Sequence, residues 1–309
     1  MAALIKQSTM TDHNVSAAKA PFPSPFAWHT ASYPAIDPTR TTLSSKGKVV
    51  VITGGSGSIG AATAIGFARA GAAAVVLTGR TEKTLKETAA AIMKVVPSAN
   101  VKYYVSDVTD EQTFTDAMED VKSTLGPISI FINNAGYLLK GPLMTQEPDF
   151  LANWWRCMEV NVLGSLIAFR AFLPNAALNA ALINNTSGIG HLPAMPLASA
   201  YQVSKLANSK LMEDISIEHP ELFVLNVQPG IVDSNLNRKS DIPGMDDANL
   251  PGNFAVWASS AEARFLNGKY VYCNWDVEEM VSRKADFEEP TFMRLGLEGL
   301  SMKGFSLRG

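Results

Sequence analysis

The sequence predicts an α/β fold: one doubly wound parallel sheet with helices on both faces. Two observations predict it. Short apolar runs rich in β-branched residues alternate with longer helical segments from Val49 to about Val271, with no linker between them. Such alternation places crossover helices on both faces of a parallel sheet. The chain has 309 residues, 47% of them hydrophobic, enough to bury one substantial core.

In chain order, strands are expected near 48–53, 74–78, 101–105, 128–132, 181–185, 222–227 and 269–273. Helices are expected near 58–70, 81–95, 110–124, 149–173 and 200–217. Gly71 reads as the C-cap of the first helix. Residues 1–45 differ, with Pro21, Pro23, Pro25, Pro34 and Pro38 and little periodicity. They read as an extended, partly mobile arm. Its aromatics Phe22, Phe26, Trp28 and Tyr33 suggest that part of it packs onto the body or a neighbouring subunit. Residues 46–309 read as one domain, with a substrate loop at 234–258 and a C-terminal tail.

The first strand, Lys48 to Thr53, runs into Gly54, Gly55, Ser56, Gly57, Ser58, Ile59 and Gly60, then into the Ala-rich helix. Strand, glycine turn and helix in that order open a dinucleotide-binding βαβ unit. The glycines let backbone approach a pyrophosphate, and the helix N-terminus offers N–H donors and a positive dipole end.

Tyr201 and Lys205 stand at i and i+4 in Tyr-Gln-Val-Ser-Lys, on one face of the expected helix. A free phenol titrates near ~10. A nearby ammonium favours the phenolate. The pair is suited to a carbonyl that receives hydride or an alcohol that loses it.

Further motifs agree. Asn133, Asn134, Ala135 and Gly136 close the fourth strand, and Asp107 and Val108 follow the third. Asn161 lies in Glu-Val-Asn-Val, Ser187 ends the fifth strand, and Pro229, Gly230, Ile231, Val232, Asp233 and Ser234 follow the sixth. With these motifs the chain resembles the classical branch of the short-chain dehydrogenase/reductase family, from about Lys46 to Asn274. The resemblance implies a Rossmann-type sheet of strand order 3-2-1-4-5-6-7. It implies Asn161, Ser187, Tyr201 and Lys205 as the catalytic set. Asp107 would meet the adenine ring, and Asn134 to Gly136, Pro229, Gly230, Val232 and Ser234 would line the cofactor. Tyr201 would donate or accept the proton, Lys205 would tune it and bond the nicotinamide ribose, Ser187 would hold the substrate oxygen, and Asn161 would order a relay water.

Two features depart from the family pattern. Thr53, Gly54 and Gly60 match its glycine motif, but Ser58 takes the middle glycine's place. Gly57 instead gives the spacing of the extended branch, which includes sugar epimerases and dehydratases. Ser187 also stands one residue further from Tyr201 than is usual, while Gly190 supports the assignment.

Cofactor choice is read at the end of the second strand. An acid there holds the ribose 2′-OH of NAD. Here Gly79 takes that place and Arg80 follows. A guanidinium can pair with a 2′-phosphate, so NADP(H) is expected over NAD(H).

Net charge is −3 with no basic cluster, which points away from nucleic acid. Cys157 and Cys273, with His13, His29, His191 and His219, lack ligand or disulfide spacing, so no metal is expected and the cysteines read as buried. No bilayer-spanning segment or signal peptide is expected, which makes a cytoplasmic, reducing compartment the default.

The candidate cleft walls are Tyr137, Leu138, Leu139, Met144, His191 to Leu197, and Leu236 to Trp257, including Met195, Met245 and Phe254. They favour a moderately large apolar alcohol or ketone. Arg238 and Lys239 read as exposed loop charges. The arm, Asn274-Trp275-Asp276 and the tail resemble family members of fungal secondary metabolism, suggesting a terpenoid or polyketide intermediate. The apolar helices near 149–173 and 200–217 are expected to pair a homodimer or homotetramer. Competing readings are an epimerase or dehydratase, and a non-redox cyclase, isomerase or NADP-binding regulator on the same scaffold.

Overall fold

The computed structural model describes residues 20–21, 23–141, 147–240 and 242–297. Phe22, His13, Met144 and the tail beyond 297 lie outside them. The strands are β1 Val49–Thr53, β2 Ala74–Gly79, β3 Val101–Val105, β4 Ile128–Asn133, β5 Ala176–Asn185, β6 Phe223–Gln228 and β7 Tyr270–Tyr272. They form one parallel sheet of order β3-β2-β1-β4-β5-β6-β7.

The helices are α1 Ser58–Arg69, α2 Glu82–Val95, α3 Glu111–Leu125, α4 Phe150–Met158, α5 Gly164–Phe172, α6 Ser199–Glu218, α7 Asn249–Ala258 and α8 Val277–Ser282. Each sheet face has its own core, because successive strand side chains point to opposite faces. Val50, Ile52 and Leu77 pack with Phe67 of α1, Leu85 and Ile92 of α2, and Phe254 and Trp257 of α7. Val49, Val51 and Phe131 pack on the other side with Phe114 of α3, Phe172 of α5 and Met212 of α6. The C-cap of α1 is Ala70, one residue before the expected Gly71, which follows it at φ +78.

Three differences from expectation bear on the site. The helix expected over 149–173 is interrupted by a π turn at Glu159–Leu163, between α4 and α5. The stretch Phe150–Asn175, 26 residues holding an 18-residue window of mean hydropathy 1.3, is long and apolar enough to cross a membrane by length and composition. That corrects the expectation of no such span. Its apolar character has a packing cause: 56% of the window is buried inside the fold.

Second, α7 occupies the end of the expected substrate loop. Phe254 and Trp257 are 0% exposed and belong to the core, so they do not line the cleft as expected. Gly252 lets α7 touch α1: a Cβ there would lie 2.7 Å from the Ala62 carbonyl carbon.

Third, the described part of the arm packs against the body. Trp28 pairs with Trp275 in an antiparallel bridge. Asn274 Nδ2 donates to the His29 carbonyl at 2.8 Å, and His29 Nε2 lies 2.8 Å from Asp276 Oδ2. Phe26, Trp28, Tyr33, Ile36 and Leu43 are all buried. The Asn-Trp-Asp motif is therefore the seat of the arm.

Candidate active site

The carboxyl end of β1 lies where the strand order reverses, with β2 on one side and β4 on the other. Ligands of open α/β sheets bind at such a switch point. Gly54 has φ +62, and a Cβ there would lie 3.1 Å from Ala135 Cα. A Cβ on Gly60 would lie 2.9 Å from Gly55 Cα. Gly57 is the N-cap of α1 at φ −74, and Ser58 is the first helical residue. No side chain caps this helix start. The substitution at Ser58 thus leaves the turn closed by Gly57, whose N–H donates to the Gly54 carbonyl at 3.0 Å.

Asn134 staples this turn to β4. Its Nδ2 donates to the carbonyls of Thr53, at 2.9 Å, and Gly54, at 3.2 Å. Thr53 Oγ1 accepts from the N–H groups of Asn134, at 2.8 Å, and Ala135, at 2.9 Å. Gly136 is exposed beside the catalytic candidates: a Cβ there would lie 3.5 Å from Asn161 Oδ1 and 3.8 Å from Lys205 Nζ.

Helix α6 brings Tyr201 and Lys205 to this place. The Ser187 side chain lies close enough to the Tyr201 phenol to favour its ionised form. Burial pushes that phenol up to about 12, against the pull of Ser187. Lys205 Nζ donates to the Asn185 carbonyl at 3.0 Å and lies 5.8 Å from the Tyr201 ring centroid. Burial brings this ammonium down to about 8. Cys157, fully buried on α4, sits close enough to act electrostatically on both groups. Ser199, at the start of α6, accepts from Trp154 Nε1 at 3.1 Å, away from this role.

Asn161 lies in the π turn and is 1% exposed. Its Oδ1 accepts from the Tyr137 N–H at 2.8 Å, and its Nδ2 donates to the Tyr137 carbonyl at 2.8 Å and to Ser204 Oγ at 2.9 Å. Its carbonyl already accepts from Ser165 Oγ and Asn208 Nδ2. The geometry makes Asn161 a tie between the loop after β4 and helix α6. Asn133, of the motif that closes the fourth strand, supports the site together with Asn184, Asn185, Ser204 and Asn208, which were not singled out in the sequence. An available signal was the placing of Asn133 and Asn184 at two strand ends.

Asp107 turns its Oδ1 to the Thr109 N–H, at 2.9 Å, and Oγ1, at 2.8 Å, with Arg156 3.5 Å from its other oxygen. Val108 buries its side chain toward Gly164. Arg80 is exposed just past β2, and Ser56 Oγ accepts from Thr84 Oγ1 at 3.1 Å beside it. Gly230, at φ +78, faces Asp246, whose Oδ2 accepts from the Ile231 N–H. Val232 is buried, and Ser234 Oγ accepts from the Asn237 N–H at 3.0 Å.

Among the proposed walls, Leu138 is buried and Met195, Leu197 and Met245 are exposed. His191 is held 2.6 Å from the Tyr272 hydroxyl. Arg238 pairs with Asp233 at the surface, as a loop charge would. Lys239 lies 5.0 Å from the centroid of the Tyr137 ring.

A family model described as short chain dehydrogenase matches residues 48–242. The chain belongs to the short chain dehydrogenase family. The short chain dehydrogenase mpl6 of Monascus purpureus is 35% identical over 276 residues, covering 84% of this chain and 93% of that protein. The short chain dehydrogenase pigC of Monascus ruber is 34% identical over 278 residues, covering 83% and 88%. A dehydrogenase/reductase from Sinorhizobium meliloti superposes with TM-score 0.68 at 24% identity, over 75% of this chain and 95% of that one. A short chain dehydrogenase from Burkholderia cenocepacia in complex with NADP gives TM-score 0.67 at 22% identity, over 76% and 99%. At these identities the solved structures share the fold. Membership makes this short chain dehydrogenase an oxidoreductase of nicotinamide type.

Proposed function

We propose that the protein is an NADP(H)-dependent oxidoreductase interconverting a secondary alcohol and a ketone on a moderately large apolar substrate. The observation that carries this reading is the Tyr201 phenol next to Ser187, with the Lys205 ammonium 5.8 Å from its ring centroid. The uncapped start of α1 and the close glycine approaches fit a dinucleotide: Thr53, Gly54 and Ser56 to Gly60 would hold its pyrophosphate. Asp107, Val108, Asn134, Ala135, Gly136, Pro229, Gly230, Val232 and Ser234 would line the rest. When bound, the nicotinamide supplies or receives the hydride.

The chain's own residues supply the rest. A phenol held up near 12 is protonated at neutral pH and is a donor to a carbonyl oxygen. Ser187 holds the same oxygen and stabilises charge developing on it. Lys205, charged below about 8, favours the phenolate left behind. Asn161 keeps Tyr137 and α6 in register. The missing acid at Gly79 and the Arg80 guanidinium support NADP(H), as does the NADP in a related fold. The apolar loops and the relatives from Monascus support a terpenoid or polyketide intermediate as substrate.

The test is loss of NADPH absorbance with a panel of apolar ketones, α-tetralone among them. Wild type should turn over. Tyr201→Phe should lose turnover and keep NADPH affinity, since only the transferable proton is removed. Near wild-type turnover in that variant would overturn the assignment.

A further inference from the structure

Seven buried polar side chains form one connected hydrogen-bond chain beneath the site. Asn133, Asn184 and Asn226 stand directly opposite one another on β4, β5 and β6. Asn133 Nδ2 donates to Asn184 Oδ1 at 2.8 Å, and Asn184 Nδ2 donates to Asn226 Oδ1 and Asn208 Oδ1, both at 2.7 Å. Asn208 Nδ2 then donates to the Asn161 carbonyl at 2.9 Å and to Ser165 Oγ at 2.8 Å. Ser165 Oγ also accepts from Asn133 at 2.8 Å and donates to the Asn161 carbonyl at 2.8 Å. Asn161 Nδ2 bonds Ser204 Oγ, which donates to the Tyr201 carbonyl at 2.9 Å. All seven side chains are at most 4% exposed.

The orientation of each amide is fixed by its neighbours. Turning any one over would set donor against donor or oxygen against oxygen, a costly state away from water. A π turn interrupts the regular backbone ladder of its helix. Here the Asn161 carbonyl within it is held by Asn208 and Ser165. The turn aims the Asn161 side chain at both backbone groups of Tyr137.

We infer that Asn208 is a positioning residue for the chemistry at Tyr201. It acts through Asn161, by holding the turn from which Asn161 ties the Tyr137 loop to helix α6. The inference rests on the proposed function, since it assigns Asn208 a part in that reaction.

The test compares Asn208→Leu, of similar size and without donor or acceptor, with Asn253→Leu. Asn253 is buried on α7, bonded to Ser32 of the arm and outside the site. With NADPH and α-tetralone, Asn208→Leu should lower kcat by about ten- to a hundredfold, the cost of small misplacements near reacting groups. KM for NADPH should stay within about twofold, because the glycine turn is untouched. Asn253→Leu should lower the thermal midpoint and keep kcat. Hydrogen exchange at the Tyr137 amide should speed up in Asn208→Leu alone.

Unchanged kcat in Asn208→Leu, or an equal kcat loss in Asn253→Leu, overturns the inference. If Asn208→Leu fails to fold, Ser165→Ala removes the second donor to the same carbonyl. It should then lower kcat several-fold, and an unchanged value overturns the inference equally. A wild type inactive on every ketone would refute the proposed function instead. The exchange rate at Tyr137 would then still decide whether Asn208 holds the turn.

Discussion

The Lys205 ammonium donates to the Asn185 carbonyl at 3.0 Å, from a side chain on a residue only 4% exposed. Burial lowers it from its ordinary 10.5 to about 8. Between those values the unfolded chain holds a proton that the folded chain has released, so this group makes stability rise with pH through that window. Below it, burying the charge costs on the order of 3 kcal/mol. Lys205→Met removes that cost and leaves the Asn185 carbonyl short of a partner, which offsets about 1–2 kcal/mol. The variant should lose turnover yet unfold at a higher temperature than wild type near neutral pH. Its advantage should shrink, or reverse, near the ordinary lysine value. Thermal scans at both pH values check this; a variant less stable than wild type at neutral pH would contradict it.

Asn274 joins three parts of the chain: it donates to the His29 carbonyl of the arm and to Asp246 Oδ1, whose other oxygen holds the Ile231 N–H. It is 0% exposed. Asn274→Ala removes the donor from a buried carbonyl and from a partly buried carboxylate, at a cost of about 2–3 kcal/mol. Urea unfolding should show that loss. A change below about 0.5 kcal/mol, the range of ordinary surface substitutions, would mean the arm is seated by its aromatics alone.

Most of the sheet was legible because β1 carries its signal locally. Val49 to Thr53 are β-branched throughout and buried on both faces, so the run has one reading. Tyr201 and Lys205 were legible for the same reason, sharing a face by helix period. Helix α7 was not, because it falls inside the stretch read as a substrate loop and carries Pro251 and Gly252. In place, Pro251 sits in the first turn, where its missing N–H has no helical partner to lose. Gly252 is there for contact with Ala62, which no local pattern announces. The π turn was hidden because part of what holds it, Asn208, lies on another helix. The amide chain depends on strand register, a tertiary fact that puts Asn133, Asn184 and Asn226 in one row.

The outer faces of α4, the π turn after it and α6 carry exposed apolar side chains. Leu151 is 80% exposed, Trp155 57% and Leu163 48%, with Val203 and Leu206 exposed on α6. An isologous pairing of these helices would cover them. Wild type should therefore sediment as a dimer or tetramer at micromolar concentration. Leu163→Glu with Leu206→Glu should shift it to monomer by placing charges against their copies. A monomeric wild type would refute the pairing.

Arg80 and Gly79 set the last prediction. If the Arg80 guanidinium holds the 2′-phosphate, Arg80→Ala should raise KM for NADPH far more than for NADH. A charge-assisted hydrogen bond is worth about 1.5–3 kcal/mol, so the ratio should move by about one to two orders of magnitude. Gly79→Asp should go further, since it adds an acceptor for the 2′-OH and a repulsive charge against the phosphate. The backbone allows it: a Cβ on Gly79 would lie 3.3 Å from Leu85 Cδ2, the end of a side chain that can yield. The double variant should therefore prefer NADH. Steady-state kinetics with both cofactors decide the matter. A wild type that already prefers NADH, or variants that leave the ratio unchanged, would place the phosphate contact elsewhere. Ser56 and Lys83 would be next to test, Ser56 because Thr84 already orients its hydroxyl at this strand end.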